Sequence, residues 1–166
     1  MNAAKVDMTF ITANISSNYN VTHDKKRLTK VGGTNFYKEG VYFNSFIVQQ
    51  PTVSIRIITL YSDNDGTSFG VAADSSLYTP VLHLNSWSYF TAGRVWDHNV
   101  YTITPYIAKV NDIVTLCVNL EAKTIQFKLQ GNSTLPPIFM NISDSELQNL
   151  RPIVQLGYNN AVEIYP

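Results

Sequence analysis

Histidine, cysteine and carboxylate side chains are the residues here that could bind a metal or catalyse a reaction. His23, His83 and His98 lie far apart in the sequence, and none has a cysteine or a paired carboxylate close by. A zinc site usually draws its ligands from such residues at short, fixed spacings. We therefore predict no zinc site.

Asp63, Asp65 and Gly66 could be taken for part of a calcium-binding loop. Such a loop needs carboxylates at alternate positions and a glutamate a fixed distance after a central glycine, and this segment lacks that pattern. Asp-Gly is instead typical of a tight hairpin turn, because both residues tolerate positive φ. We expect neither calcium nor another metal or cofactor.

The common catalytic motifs are also missing. The chain has no Gly-x-Ser-x-Gly elbow and no glycine-rich loop that could cradle a phosphate, since Gly32-Gly33 fits a turn. A catalytic triad assembles in space and not in sequence, so that arrangement stays open at this stage. The expectation is a protein that is not an enzyme.

Composition indicates one packed domain spanning residues 1–166. Hydrophobic residues make up 45% of the chain and charged residues 14%, the opposite of a disordered sequence. Twelve basic residues balance twelve acidic ones, so nucleic acid is not an expected partner. No stretch is long and apolar enough for a membrane span. With no signal-peptide pattern either, we expect an intracellular, cytoplasmic protein.

Apolar and polar residues alternate with a period of two along almost the whole chain, which predicts strands. These strands must position any functional site. Strands are expected at 6–10, 18–23, 27–31, 41–48, 53–61, 67–73, 86–91, 100–103, 113–120, 124–129, 152–156 and 161–165. Cys117, the only cysteine, lies in the apolar run of 113–118 and is predicted to be buried. One helical turn is expected at 143–150, where Ser143 and Glu146 can form a capping box. About a dozen short strands predict an all-β sandwich or barrel.

Five motifs in order resemble the SPRY domain family. They are Phe69-Gly70-Val71-Ala72, Ser86-Trp87-Ser88-Tyr89, Asp112-Ile113-Val114, Thr124-Ile125-Gln126-Phe127, and Leu150-Arg151-Pro152-Ile153-Val154 with Val162-Glu163-Ile164. Ser54-Ile55-Arg56-Ile57 stands where the family has a Tyr-Trp-Glu-Val strand, which marks the chain as a divergent member.

The resemblance implies a twisted, antiparallel two-sheet sandwich that binds a peptide or protein partner through loops at one edge. Residues that match the family's binding loops, or lie beside them, are Gly33, Thr34, Tyr78, Val81, Gly157, Tyr158 and Asn159. Trp96, near a hairpin tip, is a further candidate contact, whereas Trp87 is expected in the core.

Two other functions fit the same sandwich architecture. Aromatic and asparagine-rich loops would suit a carbohydrate-binding module, although a metal-ligand pattern is missing. Near-zero net charge would suit a structural domain buried in a larger assembly. Neither the partner's identity nor the oligomeric state follows from the sequence.

Overall fold

The computed structural model describes residues 6–13, 15–33, 40–61, 66–73, 86–98, 100–131 and 134–166. The elements in these residues, in chain order, are β1 (Tyr19–Thr22), β2 (Arg27–Lys30), β3 (Val41–Tyr42), β4 (Thr52–Thr59), β5 (Thr67–Ala73), β6 (Ser86–Phe90), β7 (Arg94–Asp97), β8 (Val100–Ile103), β9 (Ile113–Asn119), β10 (Thr124–Leu129), β11 (Ile138–Phe139), α1 (Asp144–Gln148), β12 (Leu150–Leu156) and β13 (Ala161–Tyr165).

The strands form two antiparallel sheets. The seven-stranded sheet has the order β1-β2-β13-β4-β9-β10-β11, and the six-stranded sheet has the order β3-β12-β5-β6-β7-β8. Their facing side chains, such as Leu116 and Phe127 from one sheet and Phe69 and Trp87 from the other, belong to one buried cluster. The predicted all-β sandwich is therefore confirmed, and Trp87 lies in its core.

Alternation along β9 corrects the expectation for Cys117. Val114, Leu116 and Val118 are buried, whereas Cys117 between them is exposed. Successive side chains on a strand point to opposite faces, so membership of an apolar run does not bury every residue. The Sγ atom of Cys117 lies 3.6 Å from the Thr52 hydroxyl on β4.

Two predicted strands are shorter than expected or missing. Residues 6–10 form no strand, and only Phe10 makes an isolated bridge, to Phe43. The strand expected at 41–48 ends at Tyr42, and farther along this segment the Gln49 side chain accepts the Phe46 N–H at 3.0 Å and closes a turn. A side chain that bonds a nearby main-chain group in this way competes with the ladder of a sheet.

The helix begins as predicted. The Ser143 hydroxyl accepts the Glu146 N–H at 3.2 Å, and the Glu146 carboxylate accepts the Ser143 N–H at 3.3 Å. This capping box satisfies main-chain donors that a helix start leaves unpaired. The turn leads directly into β12, which lies between β3 and β5 in the six-stranded sheet.

Candidate partner-binding surface

Three segments meet at one end of the sandwich because β2, β13 and β4 are neighbours in the seven-stranded sheet. Residues 31–33 follow β2, residues 60–61 follow β4, and residues 157–160 connect β12 to β13. We call these three segments the loop cluster. The Asn159 N–H donates to the Lys30 carbonyl at 3.0 Å, and the Thr59 hydroxyl donates to the Asn159 carbonyl at 3.0 Å. The 157–160 turn is thus bonded to the strand on each side of it.

Asn160 joins the loop cluster to both sheets. Its side chain is fully buried; its Oδ1 accepts the Tyr61 N–H at 2.7 Å, and its Nδ2 donates to the Gly66 carbonyl at 3.1 Å. Its own carbonyl accepts the Lys30 N–H at 3.0 Å. A buried side-chain amide destabilises the fold unless its oxygen and its nitrogen both have hydrogen-bond partners, and those of Asn160 do. The segments around it therefore have a defined backbone.

Aromatic and aliphatic side chains are displayed on this backbone. Tyr158 is 53% exposed and Tyr61 is 62% exposed, and Val31 beside them is also exposed. Tyrosine offers a large apolar ring and a polar hydroxyl at low conformational cost, which is why it is frequent in protein interfaces. Exposed tyrosines on a hydrogen-bonded backbone have a chemistry suited to binding.

Two residues of the loop cluster have left-handed backbone. Gly33 has φ of 76° and Asn159 has φ of 65°. A Cβ at Gly33 would lie 2.9 Å from the Asn18 Nδ2. Asn18 itself accepts the Val31 N–H through its carbonyl at 2.7 Å, so it fixes the path of the chain after β2. Glycine at position 33 lets the chain turn away without a clash.

The structure brings together four of the residues that the sequence singled out. Gly33, Gly157, Tyr158 and Asn159 all lie in the loop cluster, with Gly157 buried and Tyr158 and Asn159 exposed. Trp96 lies outside it, in β7, with its ring centroid 4.7 Å from that of Tyr101. Thr34, Tyr78 and Val81 lie outside the described residues, as does His83.

Sequence reasoning missed Tyr61 and Val31, and it missed that Asn160 is buried. Tyr61 ends the apolar alternation of 53–61 just before a turn signal, and this position could have identified it as a strand-end aromatic. Asn160 had no such signal, because its side-chain partners lie 99 and 94 residues away in the chain.

An ion pair joins β2 and β13. Arg27 donates from Nε to the Glu163 carboxylate at 2.8 Å, across β2 and β13. Within the described segments, no three His, Cys, Asp or Glu side chains lie close enough to share a metal ion. Burial raises the pKa of Tyr89 well above its ordinary value, but Tyr89 lies in the core and donates its hydroxyl to the Tyr106 carbonyl. No helix in the described part of the chain is both long and apolar enough to cross a membrane.

Comparison with known proteins gives matches in structure but not in sequence. No family model matches the chain, and no curated protein matches it. The TRIM65 PSpry domain superposes with a TM-score of 0.74 at 11% identity, over 96% of this chain and 92% of that domain. The SPRY domain of human HERC1 gives a TM-score of 0.69 at 20% identity, over 93% and 96% of the two chains.

The neuralized-type NHR1 domain from Drosophila melanogaster is similar as well. Its TM-score is 0.66 at 12% identity, over 98% of this chain and 99% of that domain. Each match covers almost the whole of both chains, so the likeness extends to the complete sandwich. At these identities it establishes the fold, and the chain has the fold of SPRY domains with a sequence that diverges from theirs.

Proposed function

We propose that this chain is a protein-interaction module that binds a short peptide segment or a partner surface through the loop cluster. The observation that carries the proposal is the exposure of Tyr158 and Tyr61 on a backbone held by the buried Asn160 amide. The resemblance extends the proposed surface to Thr34, Tyr78 and Val81. The fold shared with SPRY domains favours binding through loops over catalysis.

The proposed surface has the physical properties that binding needs. A rigid frame reduces the ordering cost that a partner would otherwise have to offset on binding. Aromatic side chains at the centre of an interface supply most of its affinity when a partner removes them from water. The 157–160 turn is bonded to β2 and β4, so it holds the exposed Tyr158 side chain on such a frame.

Binding can be tested with a Tyr158→Ala, Tyr61→Ala double variant. The immobilised chain is exposed to lysate, captured proteins are quantified by mass spectrometry, and the affinity of each recovered partner is then measured by calorimetry. We expect the double variant to weaken binding by about thirtyfold or more, the loss typical of removing a central aromatic anchor. Thermal unfolding should show that the double variant is folded, like the wild type.

Tyr165→Ala is the matched control, because Tyr165 is a partly exposed tyrosine at the opposite end of β13 from the loop cluster. Its removal takes away an aromatic ring from a different surface. Partners retained by Tyr165→Ala and lost from the double variant support the proposal. Partners lost from Tyr165→Ala and retained by the double variant would contradict it.

A further inference from the structure

The last strand of the six-stranded sheet has an open main-chain edge. β8 pairs with β7 on one side only, and no described strand pairs with its other side. The Thr104 N–H donates to the Gly93 carbonyl at 2.8 Å. Hydrogen-bonded and non-hydrogen-bonded residue pairs alternate along an antiparallel ladder. The main-chain groups of Thr102 therefore point toward Val95 on β7. The N–H and C=O groups of Tyr101 and Ile103 point outward, away from β7. These are the groups that another extended chain can pair with.

An apolar groove runs beside this edge. Its volume is about 730 Å³, and it lies between β7 and β8 of one sheet and residues 135–139 of the other. Val100 is 66% exposed at its rim and Phe139 faces it, 62% exposed, across the opening. Val100, Thr102 and Thr104 line it from the same face of the β8 chain, because alternate residues share a face. We call this feature the edge groove.

One negative charge marks an end of the edge groove. Asp97 pairs with Val100 across β7 and β8, and its Oδ1 lies 3.0 Å from the His98 Nδ1. Among the described residues that line the groove, Asp97 is the only carboxylate, and none is a lysine or an arginine. A cation on an occupant would therefore be attracted to the Val100 end. β8 itself, with the sequence Val-Tyr-Thr-Ile, carries no charge, so a second copy of this strand would not supply that cation.

We infer that the edge groove binds an extended segment of a partner protein that adds to the sheet as a strand antiparallel to β8. Its main chain pairs with Tyr101 and Ile103, and its alternate apolar side chains enter the groove. A lysine or arginine near its C-terminal end lies opposite Val100, beside Asp97. This is a second docking surface, separate from the loop cluster. It recognises a partner by main-chain hydrogen bonds and by the alternation of the partner's side chains.

The probe is a capped synthetic peptide, Thr-Val-Thr-Val-Thr-Lys. In the inferred register its lysine lies opposite Val100, its valines opposite Thr102 and Thr104, and its third and fifth residues opposite Ile103 and Tyr101. We expect the largest amide chemical-shift changes at Tyr101 and Ile103 in a nitrogen–proton NMR titration up to about 1 mM peptide. The amide exchange of both residues should slow. No shift at either residue over that range would overturn the inference.

Peptide variants separate strand addition from other contacts. N-methylation of the third and fifth peptide residues removes the two donors that face β8, and we expect binding to weaken by about tenfold or more. Replacing the peptide lysine by glutamate should weaken binding about threefold in the wild-type protein and have little effect in Asp97→Asn. Equal binding by the N-methylated peptide would contradict main-chain pairing.

Protein variants give the complementary test. Ile103→Pro removes one outward N–H of β8, a change that an edge strand tolerates, and should abolish peptide binding while the thermal midpoint stays close to wild type. If that variant fails to fold, the N-methylated peptide still decides the question. Tyr158→Ala should leave peptide binding unchanged, so failure of this inference is distinguishable from failure of the proposed function.

A second copy of the chain is the competing occupant. Sedimentation of the free wild-type chain at increasing concentration should give a monomer. A dimer that Ile103→Pro abolishes would show that β8 pairs with itself, and it would replace the partner segment as the occupant.

Discussion

Asn160 occupies the point where β5, β2 and the end of β4 come together, and its amide is bonded at both ends. Tyr158 and Asn159, two and one residues before it, are exposed and carry the candidate contact surface. The exposed residues are therefore placed by a buried neighbour that a partner would never touch. At the scale of single residues, the Asn160 amide is one of the bonds that hold the candidate contact surface in place.

We expect Asn160→Ala to lower the free energy of unfolding by about 2 kcal/mol, because the Tyr61 N–H loses its acceptor. Urea unfolding measures this loss, and the amide of Tyr61 should exchange faster with solvent. Asn159→Gly is the matched control: the position is exposed and has positive φ, which glycine adopts freely. Its effect should stay within about 0.5 kcal/mol. A neutral Asn160→Ala would show that the loop cluster has another support.

Among the elements, β5 and β6 approach closely where Gly70 lies opposite Ser88. A Cβ at Gly70 would lie 2.0 Å from the Trp87 carbonyl and 2.6 Å from the Ser88 Cα. Both obstacles are main chain, so they cannot rotate out of the way. Glycine inside a strand usually weakens it, but here its missing side chain allows the two strands to pair.

Gly70→Ala should lower the free energy of unfolding by about 3 kcal/mol, because β5 or β6 must shift to relieve the overlap. Gly131→Ala is the comparison at a turn: its φ is 78°, but no atom of the described residues, chain neighbours aside, lies within 4 Å of the added Cβ. Only backbone strain acts there, at a cost of about 1 kcal/mol. Chemical denaturation of both variants measures the two losses in the free energy of unfolding and shows which is larger. A smaller loss at Gly70 than at Gly131 would contradict the packing seen between β5 and β6.

On the scale of the whole molecule, the first two strands and the last strand of the described chain share one sheet. β13 lies between β2 and β4, and Arg27 on β2 pairs with Glu163 on β13 over 136 residues of sequence. Val162 and Ile164 are buried in the core cluster. Closure of the sandwich therefore depends on a strand near the end of the chain.

A chain that stops after Asn160 should lose cooperative unfolding altogether. It lacks the buried Val162 and Ile164, and it leaves β2 and β4 with unpaired edges. Thermal unfolding followed by near-ultraviolet circular dichroism measures this change. Removal of Pro166 alone, which lies beyond β13, is the control and should leave the transition intact. A cooperative transition in the shorter chain would mean that β13 is dispensable.

The sequence alone predicted most of the strands, because a period of two is a local property. β1, β2, β9 and β10 and the capping box of α1 follow their local patterns closely. The segments 6–10 and 41–48 do not, because polar side chains of Asn44 and Gln49 take main-chain bonds that a strand would use. Cys117 was misjudged because the face of a strand was not taken into account.

Alternation, turn residues and a resemblance to SPRY domains were thus enough to determine the fold class and to select Gly33, Gly157, Tyr158 and Asn159. Only the tertiary structure decided that β2, β4 and β13 are adjacent and that their loops meet at Asn160. It also decided that β8 is an edge strand among the described residues and lies beside an apolar groove. The physical reason is that alternation gives each strand its buried face but not its neighbour, which is selected by contacts between residues far apart in the chain.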